Sequence, residues 1–157
     1  MPTSFNSEQF LQTKGKGELD TKRPVVPVGT YRAQIEKIDA RENEIKKGDK
    51  KGQTVVFMDV LWHVLDERLA AALNIEKVFV RQSFAIDLTP EGNLDYGKAK
   101  NVDLGKLRAA LKQNDAKKEW WPNLMIGALG QIQVTHDANE DDPTQPYQRV
   151  KSVAPLA

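Results

Sequence analysis

The stretch TVVFMDVLWHVL, residues 54–65, limits the fold more than any other part of the chain. Its side chains alternate with period 2. Val56, Met58, Val60, Trp62 and Val64 share one face, and Val55, Phe57, Asp59, Leu61 and His63 share the other. Both faces carry apolar groups, so the sequence predicts a strand in the middle of a sheet. Such a strand needs partners on both sides, and the rest of the chain offers them.

Upstream, GTYRAQIEKI sets Tyr31, Ala33 and Ile35 against Arg32, Gln34 and Glu36, the pattern of a half-buried strand. Ile38 breaks the phase, which predicts a bulge or a bend. A charged loop is expected over residues 41–52. Downstream, DERLAAALNIE (66–76) reads as a connector with a helical turn. KVFVRQSFAIDL then places Val78, Val80, Phe84, Ile86 and Leu88 on one face, with Phe79, Arg81, Ser83 and Asp87 on the other. TPEGNLDYG is turn chemistry. NVDLGKLRAALKQN reads as the one good helix, capped by Asn101 or Asp103, with Leu104, Leu107 and Leu111 as its buried stripe. EWWPN reads as a loop in which one tryptophan packs and the other is exposed. ALGQIQVTH buries Leu129, Ile132 and Val134 with a change of phase after Leu129, and YQRVKSVAP closes the sheet.

The order is three strands, a helix and two strands. The expected fold is mainly β, a five-stranded Greek-key barrel of the OB fold with one helix between strands 3 and 4. A barrel also explains why every strand has one strongly apolar face. At 157 residues, 39% apolar and 29% charged, the chain suits a single globular domain with a real core. The polar, Gly-bearing stretch up to Pro24 marks residues 1–26 as an N-terminal arm, with Phe5, Phe10 and Leu11 able to dock it, and residues 27–157 as the domain.

Several function classes fall away. The chain has no cysteine, hence no disulfide framework, no cysteine-ligated metal and no thiol nucleophile. It has two histidines, His63 and His136, both on expected strands, where a histidine is more often packed or solvated than catalytic. Neither a P-loop nor a dinucleotide fingerprint occurs. Residues 137–142, DANEDD, open like a calcium loop but put Asp142 at its glycine and Gln148 at its terminal glutamate. No catalytic residue, metal site or cofactor is assigned, and the expected function is not enzymatic. No apolar run reaches the ~18–20 residues of a membrane helix. MPTSFNSEQF lacks the features of a signal peptide, so the expected location is the cytoplasm.

Net charge is only +1, but it is unevenly spread: residues 46–51 hold four lysines and one aspartate, and residues 137–142 hold four acids and no base. In the expected fold the face of strands 2 and 3 and the loops joining strands 1–2 and 4–5 are where oligonucleotides bind. That puts Lys46, Lys47, Lys50 and Lys51 on the loop, and Phe57, Phe79 and Arg81 on the outer face beside it. Exposed aromatics stack bases of any sequence, and flexible lysines neutralise phosphates. Arg149 and Lys151 add positive charge from the last strand, and Tyr147 opens that strand where it can stack or pack. The competing reading is a solvated turn beside aromatics covered by the arm or by another subunit. The alternative function is therefore an OB-fold protein–protein interaction module, such as a virion or assembly component.

PVGTYRAQI, the KKGDKKG loop running into a long aromatic strand, DLGKLRAAL, and LGQIQV followed by YQRVKSVAP together resemble the small OB-fold single-stranded DNA-binding proteins encoded by bacteriophages, over roughly residues 24–155. The resemblance implies sequence-tolerant binding of single-stranded DNA during phage replication and recombination, in the host cytoplasm. Phage or host replication proteins would be its partners, and a homo-oligomer stays open. Many such proteins recruit partners through an acidic tail; the sequence here ends KSVAPLA, so DANEDD or the N-terminal arm is expected to take that role.

Overall fold

The computed structural model describes residues 4–156. Five antiparallel strands form one open sheet: β1 (Gly29–Glu44), β2 (Thr54–Val64), β3 (Val78–Ile86), β4 (Leu129–Asp137) and β5 (Tyr147–Ala154). Their order across the sheet is β3-β2-β1-β4-β5. The sheet curls so that its two edges, β3 and β5, come close to one another. β2 is paired on both sides, as its two apolar faces require, while the middle position belongs to β1.

The inward row of each strand forms one core. Ala33, Ile35, Met58, Val60, Trp62, Val64, Val78, Val80, Phe84, Ile132, Val134 and Val150 are buried together. Trp62 is its largest member, and its indole N–H donates to the inward Gln82 Oε1 at 3.0 Å, so no buried donor is stranded. Gly130 lies beside it on β4. A Cβ there would stand 3.1 Å from Val153 and 3.4 Å from Trp62, so the large ring depends on the missing side chain. The expected bulge in the first strand is present: Ile35 pairs with Trp62 and Lys37 with Leu61, leaving Glu36 unpaired. β5 has its own, with Lys151 unpaired between Val150 and Ser152.

The helices correct the expectation of one. α1 (Ser7–Gln12) precedes the sheet, α2 (Glu67–Leu73) joins β2 to β3, and α3 (Val102–Ala110) joins β3 to β4. α2 is a full helix because Asp66 caps it, accepting from the Leu69 N–H at 3.0 Å, and Asn74 stops it in the left-handed region. α1 is capped by Asn6 and buries none of its residues. EWWPN is also not all loop, since Pro122 starts a 3-10 turn over Pro122–Met125. α3 buries Leu104 and Leu107 as expected, with Leu111 half-buried just beyond it. Its cap differs. The Asn101 side chain makes no cap bond; it binds the Asp87 backbone and the Asp95 carbonyl, pinning the turn after β3 to the helix start.

Two further expectations shift. β1 runs to Glu44, so Arg41 belongs to a strand and the loop is residues 45–53. Leu129 and Leu88 are exposed, because Gly130 and Ile132 take the inward phase of β4 and β3 has ended before Leu88. Residues 22–26 lie along the β4–β5 connection. Gln145 exchanges two hydrogen bonds with the Arg23 backbone, Gln148 accepts from Val26 N–H, and His136 Nε2 meets the Val26 carbonyl. Phe5, Phe10 and Leu11, the docking candidates of the arm, are exposed. Among the described residues no helix is long and apolar enough to cross a membrane.

Candidate nucleic-acid interface

The outward rows of β1, β2 and β3 build a grid whose register is fixed by strand pairing. Arg41, Phe57 and Ala85 form one row, and Asp39, Asp59 and Ser83 the next. Lys37, Leu61 and Arg81 follow, and Gln34, His63 and Phe79 complete it. Phe57, Phe79 and Arg81 therefore share one face, where the alternation of the sequence put them. Phe79 is 36% exposed and packs its ring 5.5 Å from that of His63. Phe57 is half-buried, with the Arg41 guanidinium 4.7 Å above its ring.

One buried charge organises the grid. Asp59 is only 8% exposed, and its carboxylate accepts from Arg41 Nε at 2.7 Å and from the Ser83 hydroxyl. Burial pushes the carboxyl up, but the bonds from Arg41 and Ser83 and the charges of Arg41 and Arg81 outweigh it. Asp59 is thereby held below the usual carboxylate range. The acid fixes the guanidinium over Phe57, and the cation keeps its other face toward solvent. The sequence pattern does not single out Arg41, Lys37 or His63. Residues 41–44 are charged on both faces of the strand, so no apolar alternation marks them as sheet.

The β1–β2 loop stands at the end of this face. It is closed by its own backbone: Ile45 N–H to the Gln53 carbonyl, Gly52 N–H to the Ile45 carbonyl and Lys51 N–H to the Gly48 carbonyl. Gly48 and Gly52 supply the positive φ values the turn needs, 88° and 90°. Lys46, Lys47, Lys50 and Lys51 are all exposed, and none of them forms an ion pair among the described residues.

The last-strand candidates lie across the sheet's gap. Arg81, at the β3 edge, Arg149 and Lys151, on β5, and Lys106, on α3, line a cleft of about 630 Å³ between the two sheet edges. Asp103 and Asp137 line it too, and Asp137 approaches Arg149 Nη1 at 3.9 Å with both side chains largely exposed. Tyr147 is outside this group; it is 57% exposed at the start of β5, paired with Asp137. Arg81 and Ser83 thus belong to both the aromatic face and the cleft. Among the described residues no three His, Asp or Glu side chains are grouped to hold a metal ion. No protein-family model matches the chain, and no curated protein matches it.

Proposed function

We propose that this protein binds single-stranded DNA with little sequence preference. The carrying observation is the outer face of β1–β2–β3, where Phe57 with Arg41 and Phe79 stand at opposite ends of a grid that holds Lys37 and Arg81 between them, beside a loop of four lysines without ion pairs among the described residues. Phe79, and Phe57 where Arg41 gives way, offer separate stacking surfaces to bases of one strand, and cations between them neutralise phosphates. The mechanism is non-catalytic. On this reading the curled sheet, with its edges facing and α3 between β3 and β4, is an OB-type barrel, and the strand would leave the aromatic face past Arg81 toward the Arg149 and Lys151 cleft. The likeness of its motifs to phage single-stranded DNA-binding proteins makes phage replication and recombination the setting we propose.

Replacing either ring tests this. Phe57→Ala and Phe79→Ala should each weaken binding of a labelled dT oligomer by about 1–3 kcal/mol, read by anisotropy, while the circular dichroism stays that of the wild type. Unchanged affinity in both variants would remove the stacking platform. A stable oligomer that hides Phe79, found by native mass, would favour the protein-binding alternative.

A further inference from the structure

A second aromatic hollow lies on the other side of α3. It is bounded by Tyr96, by Arg108 of the helix, and by Trp120 and Trp121 of the following loop, with a volume of about 730 Å³. Arg108 is the unusual member. It is only 7% exposed, yet it has no carboxylate partner among the described residues. Its Nε and Nη2 both donate to one neutral acceptor, the Gln113 carbonyl, and the guanidinium lies 4.2 Å over the Trp120 ring and 5.8 Å from that of Tyr96. Nη1 makes no hydrogen bond among the described residues. Among the described residues no fully buried polar side-chain atom lacks a partner, so Nη1 is not sealed off, and Arg108 lines the hollow.

A desolvated cation held by neutral groups is a strong anion acceptor, because it lost its hydration when the chain folded. Trp120 is fixed as a wall, its indole N–H donating to Gln113 Oε1 at 3.0 Å. Trp121 and Tyr96 are 53% and 67% exposed, two free rings at the same opening. Asp115, Glu119 and Lys118 also line the hollow, so its charged side chains cancel and Arg108 is set apart from them by its burial.

We propose that this hollow binds a nucleotide unit, its phosphate on Arg108 and its base against Trp121. The unit is either a segment of a DNA strand or a free nucleoside monophosphate. The proposal rests on this hollow alone and not on the β1–β2–β3 face.

The test follows the three indole N–H signals by nitrogen-15 NMR on the full chain, with that of Trp121 identified in Trp121→Phe. Added dTMP should move the Trp121 signal saturably, and thymidine should need roughly tenfold more, or worse, for lack of the phosphate. Arg108→Gln should bring dTMP down to the level of thymidine, with Arg108→Lys recovering part of the loss. If Arg108→Gln fails to fold, the comparison of dTMP with thymidine in the wild type still decides. A dT oligomer that acts far below the dTMP concentration identifies a strand segment; equal potency identifies a free nucleotide. A Trp121 signal unmoved by both, moved equally by thymidine and dTMP, or moved only by a Glu-rich peptide, overturns the proposal. Oligomer binding that persists by anisotropy while Trp121 stays silent removes this hollow and leaves the sheet face standing. A Trp121 response to dTMP without oligomer binding does the reverse.

Discussion

The two long hairpin loops of this sheet are built on opposite terms. The β1–β2 loop, residues 45–53, satisfies its backbone internally and leaves four lysines without ion pairs among the described residues. The β4–β5 loop, residues 138–146, turns its polar groups inward on itself and on the strap before β1. Asp142 accepts from Lys22 at 2.6 Å and from the Thr144 hydroxyl, Asn139 binds the Gln145 carbonyl and the Asp141 N–H, and Gln145 clasps Arg23. The bonds from Lys22 and Thr144 hold the Asp142 carboxyl down to about 2. A near-neutral chain can therefore present a locally cationic surface, because four of its lysines are gathered on one loop and four of its acids at the other.

The largest effect should come from removing the free charge. Replacing Lys46, Lys47, Lys50 and Lys51 together with alanine should flatten the dependence of log affinity on log salt by up to about 3, roughly 0.7 for each phosphate no longer neutralised. Thermal stability should barely move, since these side chains are exposed and form no ion pairs among the described residues. An unchanged salt slope would erase the distinction between the loops.

Asp59→Ala should act on stability. Losing the acceptor of Arg41 and Ser83 should cost about 1–3 kcal/mol in urea unfolding, with DNA affinity held or improved because Arg41 is released. The pH dependence has a definite sign. A carboxyl held low in the folded state stabilises above its unfolded pKa of ~3.9, and that contribution is lost as pH falls through the folded value. Weaker DNA binding by a folded Asp59→Ala would mean that the Arg41–Phe57 arrangement itself is what grips the strand.

The smallest effect belongs to the exposed acid of the other loop. Asp142→Asn should lower the unfolding midpoint slightly at pH 6, and the gap to wild type should narrow as pH falls from about 4 toward 2, where Asp142 protonates. DNA affinity should not change. A clear rise in affinity would show that the acidic loop competes with DNA for the lysines.

Legibility in the sequence follows packing. β2 and β3 can be placed because each has an apolar row at period 2, and Phe57, Phe79 and Arg81 come out on one face for the same reason. The far end of β1 is hidden because a strand arm projecting past the core carries no apolar alternation, and with it go Arg41 and the Asp59 network it completes. α2 reads as no more than a turn because a seven-residue helix with one buried side chain, Leu69, has too short a stripe. Hydropathy favours Leu129 over its neighbour for the core, yet Gly130 takes the inward position to make room for Trp62. Arg108 has no signal in the sequence: a buried arginine on a helix reads as a solvated one until its aromatic neighbours, Tyr96 and Trp120, are brought in from outside the helix.

The decisive measurement is anisotropy of a labelled dT oligomer titrated with the protein at two salt concentrations, with duplex DNA of the same length alongside. If the sheet face and its lysine loop hold single strands, the oligomer binds saturably and the duplex binds more weakly. Affinity then falls with salt by ~0.7 log units per neutralised phosphate for each tenfold increase. No binding of the single strand at low salt would contradict this function.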